Sequence, residues 1–422
     1  MRIELINTGA ELLVGRVLNT HQQWLCRQLA DLGYEVSRQM CVPDDGPRIQ
    51  AALRESLGRA DLILVTGGLG PTGDDLTRQF AAHTLGRKLV LHPPTLAWIE
   101  QFFAARRRPM PANVQVQAMI PEGAAVLPNP NGTAPGLSLD IAPGNQCLIL
   151  LPGPPRELRP MFLTSVVPLL HRKFPLSFPF LCHTFKTTGL GESVVEEKIA
   201  GPLQDLVRDG LELAYCARIG EVDVRLAARG EKAAALLAEG RRRVEELLGP
   251  VIFGANDDTL ELVLIQLLAA RKNTLAVAES CTGGFLSHRL TNVPGASAVF
   301  LGGVVAYSNQ VKQDLLAVRA ETLRRHGAVS EPAAREMADG ARRLLRADYA
   351  LAVTGIAGPW GGTPEKPVGT AFLALSQNKG TDVLLQYSPV DRQTFKFAIS
   401  QRALDLLRQA LSPTPAAPQK SQ

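Results

Sequence analysis

The sequence predicts an α/β fold: two three-layer α/β domains with mainly parallel sheets, joined by a small α+β connector domain. Three observations carry that expectation. The 422 residues are enough for two or three domains at roughly 150 residues each. Short apolar runs alternate with segments of helical period over the first 80 residues and again from 260 onward, the pattern of βαβ units. Between these regions lie strands with one polar face, at Phe185–Thr188 and Glu221–Leu226, and a charged helical segment over 231–248. The domains read as 1–170, 171–255 and 256–411, with a Pro-rich tail at 412–422 expected to be disordered.

The elements follow in order. Ile3 to Thr8 reads as a buried strand. Asn19-Thr20 offers a helix cap, Trp24, Leu25, Leu29 and Leu32 form one helical face, and Gly33 ends it. Tyr34 to Val42 is a second strand, and Ile49, Leu53 and Leu57 mark a second helix. Asp61 to Thr66 and Cys147 to Leu150 are further apolar strands. Asn256 to Thr259 supplies a turn and a cap at the start of the last domain. There the expected series is helix 260–271, strand 274–278, strand 299–307, helix 331–346, strand 348–354, strands near 368–376 and 382–388, and helix 391–411.

Composition narrows the function classes. Hydrophobic residues at 45% and charged residues at 20% fit a globular protein rather than a disordered one. No apolar run approaches the ~18 residues a membrane helix needs, and Glu4 stands where a secretory signal would be apolar. Six scattered cysteines without C-x-x-C spacing and seven histidines without H-E-x-x-H indicate neither a disulfide framework nor a zinc site. The net charge of +5 is spread along the chain. The short runs Arg106–Arg108 and Arg241–Arg243 read as solvated helix faces rather than a nucleic-acid stripe. The expectation is a soluble cytoplasmic protein without membrane association or direct nucleic-acid binding.

Two glycine-rich loops follow apolar strands, and ligands of open α/β sheets bind beyond strand carboxyl ends. The first loop runs Gly67-Gly68-Leu69-Gly70-Pro71-Thr72-Gly73-Asp74-Asp75. Its glycines allow close approach of a phosphate. The adjacent carboxylates of Asp74 and Asp75 suit that site if a divalent cation bridges them to a pyrophosphate, since hard cations take oxygen ligands. The plainer alternative is that one Asp caps the next helix. Glu11, after the first strand, and Leu151 to Leu158, after another, belong to the same cleft.

The second loop is Ala278-Glu279-Ser280-Cys281-Thr282-Gly283-Gly284. A hydroxyl at a strand-to-helix turn is exposed as a nucleophile, and backbone N–H groups at a helix start can hold an oxyanion. Ser280 and Thr282 are both candidates. His288 reads as a surface or packing residue, so Lys312 is the candidate base: a desolvated lysine can accept a proton. A single lysine is more commonly a solvated helix residue. Thr354-Gly355-Ile356-Ala357-Gly358 lies past a third strand and should reach the same pocket. Arg392 could grip a phosphate or pair with Asp391.

These strings resemble a known family. Residues 1–170, through Gly67 to Thr77, Asn131 to Gly136 and Leu151 to Met161, are similar to the molybdopterin-binding-like domain. Residues 258–411, through Ala278 to Gly284, Gly302 to Asn309, Gly327 to Ser330, Thr354 to Gly362 and Lys366 to Thr370, resemble the carboxy-terminal domain of the CinA family of competence/damage-inducible proteins. Phe185 to Glu192 resembles that family's connector.

The resemblance implies two activities. One is nicotinamide mononucleotide (NMN) deamidation without a cofactor, with Ser280 attacking. Spacing and chemistry, rather than the resemblance, suggest Lys312 as base, Tyr307 orienting Lys312 or the substrate, Thr282 to Gly284 stabilising the oxyanion and Arg392 binding phosphate. The other is ADP-ribose pyrophosphatase activity dependent on Co²⁺ or Mg²⁺ and helped by K⁺. The family name also implies an alternative, a pterin- or nucleotide-binding module in a competence or recombination assembly. A homodimer is expected on the same ground. One departure is His21, where the family pattern carries a second Asn after Asn19-Thr20.

Overall fold

A computed structural model describes residues 1–141 and 145–412. The tail expected at 412–422 lies outside the described residues from 413 on. The chain divides into two compact units, Met1–Phe180 and Leu181–Gln422.

The first unit is built on six strands: β1 (Ile3–Thr8), β2 (Val36–Val42), β3 (Leu62–Thr66), β6 (Ala125–Leu127), β7 (Gly136–Ile141) and β8 (Gln146–Leu151), in the order β2-β1-β3-β8-β7-β6. A separate ribbon pairs β4 (Leu89–Leu91) with β5 (Met119–Pro121). The first four strands of the large sheet are parallel, while β7 and β6 run antiparallel. The parallel centre is buried on both faces, which explains why β1 and β3 read as continuous apolar runs. Leu25, Leu29 and Phe162 pack on one face, and Ile49, Leu53 and Ala81 on the other. The acid in β1 is buried as well, but Glu4 is met by the Arg59 guanidinium and by the Ser56 hydroxyl at 2.6 Å. Asn19 caps helix Thr20–Asp31 by accepting from the Gln22 N–H, as its sequence position foretold.

The second unit carries two sheets. Strands β9 (Phe180–Thr188), β10 (Leu211–Arg218), β11 (Glu221–Arg229) and β12 (Ile252–Ala255) order as β10-β11-β9-β12. The helices Glu192–Ile199 and Ala233–Leu248 bury Val195, Ile199, Leu237 and Val244 in that sheet's core. The other sheet, β14-β13-β15-β16-β17, comprises β13 (Leu275–Glu279), β14 (Phe300–Val305), β15 (Tyr349–Gly355), β16 (Thr370–Gln377) and β17 (Gly380–Tyr387). Its first three strands are parallel, and the last two are antiparallel. The two-residue link between β16 and β17 permits only an antiparallel hairpin. Helices Leu260–Arg271 and Arg392–Leu411 cover one face and helix Glu331–Leu345 the other.

The basic runs sit in solvent. Arg106 stacks over Phe102 at 3.4 Å just past its helix. Arg241 to Arg243 pair with Glu239, Glu245, Glu246 and Asp205.

Candidate active sites

In the second unit, β13 ends at Glu279 and the chain turns through Ser280 to Gly284 into helix Phe285–Thr291. The turn needs positive φ at two consecutive residues, 61° at Gly283 and 91° at Gly284, which side chains resist. Glycine at the cap leaves that helix without a side-chain acceptor of its own. Glu279 supplies it from the strand: its fully buried carboxylate accepts from Leu286 N at 2.9 Å, Ser287 N at 2.8 Å and Ser287 Oγ at 2.7 Å.

Ser280 and Lys312 meet. Lys312 lies on helix Asn309–Leu316, capped by Ser308, and its side chain is fully buried. Its Nζ is 3.1 Å from Ser280 Oγ, 2.7 Å from the Ala306 carbonyl and 3.2 Å from the Tyr307 carbonyl. Burial pushes the Lys312 amine below the ordinary lysine range, opposed by Cys281. A neutral amine has two hydrogens and one lone pair. With both hydrogens donated to the two carbonyls, the lone pair is left for the Ser280 hydroxyl, the arrangement a general base requires.

Cys281, next to Ser280, is excluded as a nucleophile by burial, which pushes its thiol up to about 12. Thr282 Oγ1 is buried without a hydrogen-bond partner. Within the turn, the N–H groups of Ser280, Gly283 and Phe285 bond to the carbonyls of Val353, Ser280 and Thr282. Those of Cys281, Thr282 and Gly284 make no backbone bond among the described residues and remain as donors for a ligand.

Tyr307 reaches Lys312 through its backbone carbonyl, whereas its phenol contacts Arg392 Nη2 at 3.1 Å. Arg392 also donates to the Gly358 carbonyl at 2.8 Å. Asp391 caps the helix rather than pairing with Arg392, accepting from Gln393 N and Thr394 N. Thr354 is buried and donates to the Ala328 carbonyl, anchoring the 327–330 loop. Gly355 ends β15 against Thr370 and Ala371. His288 is exposed, beside Asn292.

In the first unit, the ends of β1 and β3 frame a cavity of about 420 Å³ at the point where the strand order reverses. It is lined by Glu11, His21, Asp44, Gly67, Gly68, Thr72, Asp74, Asp75 and Gly153. Gly70 is not part of that lining but packs on Asp75: a Cβ there would lie 2.3 Å from Asp75 Oδ2. At Gly68 a side chain would collide with Thr77 Oγ1 at 2.1 Å. Neither Asp74 nor Asp75 caps the following helix, whose cap is Leu76 without a side-chain bond. Asp75 instead accepts from Thr72 N at 2.9 Å and from the Thr72 hydroxyl, closing the loop on itself.

Asp44, the acid that sequence reasoning missed, accepts from Ala10 N at 2.9 Å. Burial raises its carboxyl above the usual range, the Ala10 N–H opposes this, and Glu11, Asp74 and Asp75 raise it further. His21 is pushed below the ordinary histidine range by burial, against a backbone hydrogen bond at Gly153 that favours the charged ring. The 129–131 segment and the 151–161 string are stitched together through Asn129 to Glu157 at 2.8 Å and Asn131 to the Arg156 carbonyl at 3.1 Å, and Gly153 to Pro155 of that string line the cavity.

Among the described residues no three His, Cys, Asp or Glu side chains converge as a cation cage. Four carboxylates around one cavity nevertheless match the chemistry of a hard cation held by one or two protein oxygens and completed by substrate phosphates, as Mg²⁺ commonly is.

The folds and sites define a composite α/β protein with a strand-end loop site in each unit. Family models match it in three consecutive parts: "Probable molybdopterin binding domain" over residues 4–172, "Damage-inducible protein CinA KH domain" over 183–254 and "CinA C-terminal domain" over 257–411. The chain is similar to a CinA-like protein of Akkermansia muciniphila, 45% identical over 405 residues and covering 96% of each chain. A CinA-like protein of Kosmotoga olearia is 42% identical over 98% of this chain and 100% of its own. A solved competence/damage inducible protein from Agrobacterium tumefaciens aligns with 36% of this chain and 93% of its own, at 42% identity and a TM-score of 0.35. The chain belongs to the CinA family, and that membership points to a hydrolase or amidase. No helix among the described residues is long and apolar enough to cross a membrane.

Proposed function

We propose that the carboxy-terminal domain hydrolyses the carboxamide of NMN, giving nicotinic acid mononucleotide and ammonia. Ser280 Oγ attacks the amide carbon while neutral Lys312 takes its proton. The carbonyl oxygen, now an oxyanion, is held by the spare N–H groups of Cys281, Thr282 and Gly284. The Lys312 ammonium then protonates the leaving nitrogen, ammonia departs, and a nicotinoyl ester remains on Ser280. Lys312 next takes a proton from water, which attacks the ester; as the acid leaves, Lys312 returns that proton to Ser280 Oγ and both groups are restored. The observation that carries this reading is the 3.1 Å Nζ–Oγ contact with the other two amine positions filled by carbonyls. The same contact favours Ser280 over Thr282 as nucleophile, because no amine bonds the Thr282 hydroxyl.

Ammonia release from NMN by the purified protein tests it. Ser280→Ala should lower the rate at least about a thousandfold, and a variant turning over at the wild-type rate would remove Ser280 from the role of nucleophile.

For the amino-terminal domain we propose metal-dependent cleavage of ADP-ribose to AMP and ribose 5-phosphate. The four carboxylates around the cavity support this reading over a binding module without chemistry, since a bare anion site would exclude them. Asp74 and Asp75 would hold a Co²⁺ or Mg²⁺ ion, and its charge would neutralise the pyrophosphate. In this reading the protein is a cytoplasmic homodimer acting on small nucleotides. The KH-type segment 183–254 contains no G-x-x-G string, the loop with which KH modules clamp a nucleic-acid backbone, in keeping with small-molecule substrates.

A further inference from the structure

Helix Arg392–Leu411 begins beside the Gly283–Gly284 turn, and Arg392 is followed one turn later, at i+4, by Lys396 on the same side. A Cβ on Gly283 would meet only the Lys396 ammonium, at 4.0 Å, and one on Gly284 only Val305 Cγ2, at 3.6 Å. The open side of the turn is therefore bounded by a cation on one side and an apolar methyl on the other. The ammonium also lies 5.9 Å from the centre of the Phe285 ring, at the start of the helix that follows the turn. Among the described residues no carboxylate pairs with it.

The other two cations at the site are committed. Lys312 has all its positions filled inside the fold. Arg392 spends donors on the Gly358 carbonyl and the Tyr307 hydroxyl, which fixes the plane of its guanidinium and leaves three of five N–H groups. A phosphate monoester carries −1.5 to −2 charge near neutral pH, more than one partly engaged guanidinium balances.

We propose that Lys396 is a specificity-determining residue, the second cation for the 5′-phosphate of the nucleotide substrate. It makes the site select a mononucleotide over the corresponding nucleoside. The inference rests on the deamidase reading and names a residue that reading does not use. Lysine suits the position because its ammonium turns freely and can follow the phosphate, while Arg392 stays fixed.

The experiment measures ammonia release from NMN and from nicotinamide riboside, which lacks the phosphate, by wild type, Lys396→Met, Lys396→Arg and the exposed-turn control Lys379→Ala. Methionine keeps the stem over Phe285 and removes only the charge. Lys396→Met should raise KM for NMN about tenfold or more with a much smaller change in kcat, the signature of lost ground-state binding. Its kcat/KM for the riboside should move less than about twofold, so that discrimination between the two substrates collapses. Lys396→Arg should recover most of the NMN affinity, and Lys379→Ala should match wild type. Inorganic phosphate competing against NMN gives a second readout, its inhibition constant rising about tenfold in Lys396→Met. An unchanged NMN KM, or equal losses on both substrates, overturns the proposal while leaving the deamidase standing. A wild-type protein that releases no ammonia from NMN removes the deamidase reading itself.

Discussion

Replacing Lys312 with methionine tests the catalytic geometry most directly. The substitution keeps the length of the stem and removes the lone pair 3.1 Å from Ser280 Oγ. Positioned proton transfer is worth about 10²–10⁴ in rate, and without it a serine hydroxyl is a poor nucleophile. A loss of three decades in kcat/KM for NMN, about 4 kcal/mol, is expected. The pH dependence should change as well. In the proposed mechanism the reactive form is the neutral amine, so wild-type kcat/KM should rise with pH as Lys312 loses its proton. Burial lowers that pKa, which moves the rise below the ordinary lysine range, and the methionine variant should lack it.

Stability supplies an independent check on Lys312. Because the folded pKa lies below the unfolded value, the unfolded chain binds more protons between the two, and wild-type stability grows with pH across that interval. Below it, the buried charge weighs against the fold. The methionine variant loses this dependence, and it leaves the Ala306 and Tyr307 carbonyls short of a donor, at about 1–3 kcal/mol each. Its stability relative to wild type should therefore be best at low pH and fall as pH rises. Ammonia release across pH and urea unfolding across pH measure the two effects. A variant retaining more than about a tenth of the activity, or keeping the wild-type limb of the pH profile, would refute Lys312 as the base.

Asp74→Ala and Asp75→Ala should abolish Co²⁺- or Mg²⁺-dependent AMP formation from ADP-ribose while ammonia release from NMN persists. Unchanged hydrolysis in both variants would defeat the carboxylate assignment. Glu279→Gln turns one acceptor oxygen into an amide NH₂ facing a backbone donor, at about 1.5–3 kcal/mol. Its kcat for ammonia release should drop with little change in KM, and the melting temperature should fall by several degrees. A wild-type kcat in a destabilised Glu279→Gln protein would reduce Glu279 to a purely structural part.

The elements legible in the sequence were those whose period was set by burial on both faces. Strands β1, β3, β8 and β13 read as apolar runs because helices cover each side of their sheets. The caps Asn19 and Thr259 were legible because a short polar side chain there satisfies orphan N–H groups. By contrast β10, with its alternating and largely exposed residues, and the short β4–β5 ribbon carry little period of their own and depend on their partners. Ser280 and Lys312 were legible as residue types at strand exits. What the sequence did not reveal was that Tyr307 meets Lys312 through its carbonyl, since backbone groups leave no mark in residue identity. Glu279 was hidden because a buried acid ending a strand gains meaning only from the two N–H groups it meets. Asp44 and Lys396 lie far in sequence from the loops they border, and only the fold brings them there.

The two sites solve opposite electrostatic problems with the same backbone device. Each has a glycine turn past the end of a central parallel strand, where a substrate can approach peptide groups that side chains would otherwise cover. Around the 67–75 loop the fold gathers carboxylates, raising Asp44 by burial and mutual repulsion. That accumulation repels a diphosphate unless a cation intervenes, so the proposed pyrophosphatase would work only with a metal. Around the 280–284 turn the titratable groups are an amine whose pKa burial lowers and cations beyond it, at Arg392 and Lys396. In the proposed deamidation Ser280 supplies the nucleophile and Lys312 the proton carrier, and a phosphate tail is met by positive charge. On the proposed functions chelation should silence the first activity and leave the second intact, because only the first would depend on a charge that the chain does not provide.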